Sequence, residues 1–151
     1  MQTFTPKRST FLARAGAVTA VVLLALSGLT ATANATTCTP VGTWTGYVTR
    51  TDGDHPTKLV FKANGSAFVT NEQNTTTKGS WWVTGAGTFH YKFRGEKVYD
   101  ENGVYFAYVD FDQDAVQSGP NSFTSSGPST FYLADGTNLG TSNITFTMTR
   151  V

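Results

Sequence analysis

The feature that most constrains this chain is a two-residue alternation of apolar and polar side chains, broken at short, regular intervals by Gly, Asn and Asp. The segment Gly79–Arg94, GSWWVTGAGTFHYKFR, shows it best. Phe89, Tyr91 and Phe93 fall on one side of an extended chain, and Thr88, His90, Lys92 and Arg94 on the other. Successive strand residues point to opposite faces, so this pattern reads as a strand buried on its aromatic side.

The same reading predicts eight strands: Gly42–Thr51, Lys58–Ala63, Ser66–Thr70, Gly79–Thr84, Thr88–Arg94, Val104–Gln117, Ser122–Leu133 and Thr141–Val151. Asn64-Gly65 and Asp135-Gly136 are hairpin signals, because the tight turns that match strand twist need positive φ. Asp52–Pro56 reads as a turn cluster holding His55, Asn71–Lys78 as a polar loop, and Glu96–Gly103 as a turn with Asp100, Glu101, Asn102 and Gly103 at its tip. In the sixth strand Tyr105, Ala107, Val109, Phe111, Gln113 and Ala115 share a face, opposite Asp110, Asp112 and Asp114. Both faces begin apolar, which suits a central or bulged strand. Gly127-Pro128 interrupts the seventh strand and argues for an edge or a bulge.

Hairpin after hairpin with no helical pattern predicts an all-β fold. An eight-stranded antiparallel up-and-down barrel fits best, since closure removes exposed edges. A β-sandwich is the alternative.

The chain has 151 residues. Lys7, Arg8 and Arg14 precede an uncharged run, Ala15 to Leu29, and then Ala33-Asn34-Ala35. A basic start, an apolar middle and an A-x-A end predict a secretory signal peptide over 1–35, cleaved near Ala35. The run is shorter than the ~20 residues a spanning helix needs, so no membrane span is expected after processing. Residues 36–41 read as an N-terminal tail and 42–151 as a single domain, secreted to the exterior. Export would remove three cations and leave eight basic residues against ten acidic ones. That balance carries no footprint for nucleic acid. Cys38 is the one cysteine, so no internal disulfide is available; it is either a free thiol or an intermolecular crosslink.

Motifs for chemistry are sparse. There is no G-x-S-x-G, no paired-histidine metal motif and no phosphate loop. No cofactor or metal is expected. Asp110, Asp112 and Asp114 sit at two-residue steps, ~7 Å apart along a strand. They read as a solvated polar face, with calcium binding or glycosidase-type chemistry as the sharper alternatives. His90 reads as a surface histidine, or as one with a depressed pKa beside Lys92 and Arg94. Of the 20 aromatic residues, 18 lie beyond the signal, which is either a filled core or a lined pocket.

Gly42-Thr43-Trp44 opens the first strand, and Arg150 lies near the end of the last. This pairing resembles the calycins, the lipocalin and avidin group of ligand-binding barrels. The T-D-Y loop motif of true lipocalins has no counterpart, so the likeness is to a lipocalin-like barrel. The middle of the chain also resembles small secreted actinobacterial proteins. The resemblance implies that Trp44 closes one end of the barrel, that Arg150 packs across its indole, and that Gly42 permits the close approach. It also implies one small apolar or aromatic ligand in the lumen. Candidate contacts are Trp81, Phe89, Tyr91, Phe93, Tyr105, Phe111, Gln113, Phe131 and Phe146. Catalysis is left open and leaned against; if present, it would be an isomerase or cyclase of the allene-oxide-cyclase-like type. A third reading is a secreted inhibitor or surface interaction protein. Oligomeric state is not legible.

Overall fold

A computed structural model describes residues 39–100 and 102–151. The signal peptide expected over 1–35, Cys38 and Glu101 lie outside the described residues. Eight strands follow one another: β1 (Gly42–Arg50), β2 (Gly53–Phe61), β3 (Ser66–Thr70), β4 (Thr76–Gly85), β5 (Thr88–Tyr99), β6 (Tyr105–Gly119), β7 (Ser122–Leu133) and β8 (Asn138–Arg150). Each pairs antiparallel with the next, and β8 returns to β1 with Trp44 opposite Arg150 and Val48 opposite Phe146. The result is a closed up-and-down barrel. A closed ring has no second sheet, so the sandwich alternative is set aside. No helix of the described residues is long and apolar enough to cross a membrane.

Alternation decides what enters the barrel. Trp44 and Val48 from β1, Leu59 and Phe61 from β2, and Ala67 and Val69 from β3 are all buried, while their neighbours Thr45, Tyr47 and Thr49 are exposed. On β6 the inward set Ala107, Val109, Phe111, Gln113 and Ala115 is buried, as the sequence parity requires. Tyr105 leaves that pattern: it lies 37 % exposed at the strand's start, near the ring of Tyr99.

Several boundaries differ from the sequence expectation, for physical reasons. β2 begins at Gly53, so Asp54, His55 and Pro56 are strand residues opposite Thr49, Val48 and Tyr47. Backbone pairing with β1 overrides their turn propensity. Pro128 sits within β7, not at an edge, since a closed barrel has none. Its missing N–H falls where pairing with β6 lapses between Phe111–Ser129 and Asp114–Ser126.

The largest difference is in β5. It continues through Glu96 to Tyr99 where a turn was expected. Phe93 pairs with Phe111 but Glu96 with Val109, so β5 carries one extra residue there, a β-bulge. Gly95 provides it, with φ of 69° in the left-handed region that glycine enters without strain. The Asp110 carboxylate accepts a hydrogen bond from the Gly95 N–H at 2.7 Å and holds the bulge in place.

Candidate ligand-binding site

The two ends of the barrel are built differently. One end is packed solid. The Trp44 ring meets Phe123 edge-on at 4.9 Å between centroids, and Phe61 touches Trp81, Phe89, Tyr91 and Phe123. The Trp44 indole N–H donates to the Pro40 carbonyl at 2.7 Å. Across the outside of the same indole lies Arg150, its guanidinium carbon 4.2 Å from the ring centroid. Arg150 also donates to the carbonyls of Thr39, Val41 and Pro120, at 2.7, 2.6 and 2.8 Å. It therefore stitches the segment before β1 and the β6–β7 turn to the barrel end. Gly42 has φ of 140°, and a side chain there would run into the Arg150 guanidinium. The geometry implied for Trp44, Arg150 and Gly42 by the calycin resemblance is present.

The other end holds a cavity of about 190 Å³. Its floor is apolar: Val48, Val69, Val109, Phe111, Ile144 and Phe146. Its mouth is polar: Arg50, Asp52, His55, Asn71, Glu72 and Glu96. His55 lies between two carboxylates, with Nδ1 3.3 Å from Glu72 and Nε2 3.3 Å from Asp52. The histidine read from sequence as part of a turn is instead a strand residue anchored at the rim.

Glu96 is the most deeply placed charge, only 6 % exposed. The bulge at Gly95 turns it inward. Without the extra residue, parity from Phe89, Tyr91 and Phe93 would send Lys97 into the barrel and Glu96 out. Burial pushes its carboxyl from 4.5 up to about 7, against the opposing pull of the Arg50 charge and the Asn71 amide. Arg50 stands in no ion pair among the described residues, and neither does Glu96. A cavity lined by a carboxyl that titrates near neutrality and an uncommitted guanidinium can bind a polar group or move a proton.

The sequence candidates divide between these regions. Phe111 and Phe146 line the cavity. Phe89, Tyr91, Phe93 and Gln113 are buried deeper in the packed core, and Trp81 and Phe131 pack partly buried against it. Tyr105 stands outside. The Tyr91 hydroxyl is paired with Ser125 at 2.6 Å, and burial pushes the phenol pKa far up. No described residue hydrogen-bonds the Gln113 amide or the Ser129 hydroxyl, although both are enclosed. Sequence reasoning missed Arg50 and Glu96. Arg50 has the same strand parity as Trp44 and Val48, which is a usable signal. Glu96 gave none, because a one-residue bulge is invisible to periodicity.

The outer face of β5 and β6 gathers the three aspartates. His90 uses both ring nitrogens, Nδ1 to Asp114 at 2.8 Å and Nε2 to Asp112 at 2.9 Å. Arg94 pairs with Asp112 and reaches Asp110 at 3.7 Å. The Trp82 indole lies over the imidazole, 4.5 Å between centroids. Partial desolvation would lower the His90 pKa, but the hydrogen bonds to Asp114 and Asp112 outweigh it and hold the imidazole above its ordinary value. The depressed pKa considered from sequence is thus reversed, because both imidazole nitrogens are hydrogen-bonded to aspartates of β6. Among the described residues no group of three or more His, Cys, Asp or Glu is arranged to hold a metal ion.

Fold and site together define an antiparallel eight-stranded barrel, compatible in form with the calycins, closed at one end by an arginine-capped tryptophan and hollow at the other. Comparisons with protein-family models, curated proteins and solved structures gave no match.

Proposed function

We propose that this chain is an exported binding protein that takes one compact small molecule into the mouth of its barrel. The observation that carries the reading is the division of the cavity: an apolar floor beneath a polar rim, with neither Glu96 nor Arg50 in an ion pair among the described residues. An apolar body on Val109, Phe111, Ile144 and Phe146 would supply burial, at roughly 25 cal/mol per Å². The rim would fix orientation. The cavity's about 190 Å³ corresponds to roughly six waters' share of liquid volume, so the ligand is small. The filled aromatic core beneath the cavity makes a rigid floor rather than a deep lumen.

Native mass spectrometry of the protein purified from the secreting host tests this, before and after denaturation. A stoichiometric small molecule, released on denaturation, is expected. A clean apo mass, with no uptake from a host metabolite extract, would overturn the reading and favour a surface interaction protein.

A second reading rests on Glu96 alone. A buried carboxyl near pH 7 in a cavity is placed to shuttle a proton, as an isomerase or cyclase requires. Return of the released molecule in chemically altered form after incubation would establish it.

A further inference from the structure

The charges at the mouth carry the small-molecule reading one step further. β1 and β5 are four strands apart in a closed ring of eight, so Arg50 and Glu96 enter the cavity from opposite walls. They feel each other's charge, yet no ion pair joins them. Glu96 is more than nine-tenths buried. We propose that the cavity recognises a compact zwitterion with an apolar body, an apolar α-amino acid in chemical class, its ammonium on Glu96 and its carboxylate on Arg50.

A ligand of one charge fits this arrangement poorly. An ammonium at Glu96 would meet Arg50 as a like charge across the same low-dielectric space. A carboxylate at Arg50 would meet ionised Glu96 in the same way. A neutral apolar molecule would keep both groups from water and satisfy neither. A zwitterion matches each wall with its opposite charge and leaves its side chain to the floor.

Of the other titratable groups facing the cavity, Asp52 and Glu72 flank His55 at the rim, Asp52 also feels the Arg50 charge, and Tyr99 comes from the end of β5. β6 and β8 contribute only apolar side chains. Seating an ammonium on Glu96 requires the ionised carboxylate, so binding expels whatever proton it holds. At pH 7 that is about half a proton per ligand, given a carboxyl at about 7.

This inference rests on the small-molecule reading, and titration calorimetry separates the two. L-Valine, L-leucine and L-phenylalanine are the zwitterionic probes. 2-Phenylethylamine and 3-phenylpropionate are the singly charged counterparts of phenylalanine. At least one amino acid is expected to bind, with each counterpart of phenylalanine at least ~10-fold weaker than phenylalanine itself, or undetected if phenylalanine is excluded by size. Titrations in buffers of different ionisation enthalpy should show the proton release at pH 7 and its disappearance by pH 9. Glu96→Gln should weaken amino-acid binding by ~10-fold or more and abolish the proton release. The wild-type proton count stands without the variant, should the variant fail to fold. Failure of all three amino acids to bind at millimolar concentration would overturn the inference. So would a singly charged counterpart binding as tightly as its amino acid, or binding with no proton exchange. A host ligand seen by mass spectrometry would, in each of these cases, leave the broader reading standing.

Discussion

Replacing Glu96 with Gln should make the protein more stable at alkaline pH and leave it nearly unchanged in acid. Burial raises this carboxyl from 4.5 to about 7, and its side chain is almost wholly enclosed. Below about pH 4.5 the group is protonated in both the native and the unfolded chain. As pH rises toward 7 the unfolded chain ionises first, while the native state still holds its proton. Native stability therefore falls through this window and levels off above it. At about 1.4 kcal/mol per tenfold in proton affinity, the loss is about 3 kcal/mol. Glutamine keeps the shape and never ionises, so the advantage of E96Q over wild type should grow by about that amount from pH 4 to pH 8. Urea unfolding followed by tryptophan fluorescence, at half-unit steps over that range, reads it directly. His90 also titrates in part of this window, but it is common to both proteins and cancels in the difference. Parallel stability curves for E96Q and wild type would refute the reasoning, because they would show Glu96 to be solvated or ion-paired.

Arg150→Ala should lower stability by about 3 kcal/mol in chemical denaturation, combining a cation–π contact with hydrogen bonds to three carbonyls; Arg150→Lys should recover part of it, since a lysine keeps the charge but its donors share one nitrogen, whereas the three carbonyls are met by three different nitrogens of the guanidinium. Gly95→Ala should cost about 1–2 kcal/mol, because alanine must be held at a left-handed φ, whereas glycine is not penalised there. The raised His90 pKa contributes stability that is present below pH 6.5 and lost as pH climbs through the folded value. His90→Gln should therefore narrow its gap to wild type as pH rises from 6 to 9, and a gap constant across that range would show that the Asp112 and Asp114 contacts do not respond to its charge.

The strand count, the hairpin turns, the inward face of β5 as far as Phe93 and that of β6 were legible in the sequence, because a period of two is a local property of the chain. Phe89, Tyr91 and Phe93 declare their side whatever they pack against. So do Asp110, Asp112 and Asp114, and the structure leaves them outside. Trp44 and Arg150 were legible as a pair only through a resemblance, since 105 residues lie between them in the sequence. Their contact exists because closure of the barrel lays the last strand beside the first.

The cavity was decided by tertiary structure. Periodicity counts residues along one strand and cannot see that β5 spends one extra at Gly95, where Asp110 from the neighbouring strand holds the bulge. That single residue reverses the parity beyond it, puts Glu96 inside and Lys97 outside, and sets a buried carboxyl across the barrel from Arg50. The division of the barrel into a packed end and a hollow one likewise depends on which rings meet across the lumen. Trp44, Phe61, Phe89 and Phe123 fill one end together, whereas the valines and Ile144 at the other are too small to do so. Alternation fixes the face a side chain occupies, and the space left between faces depends on how all eight strands close.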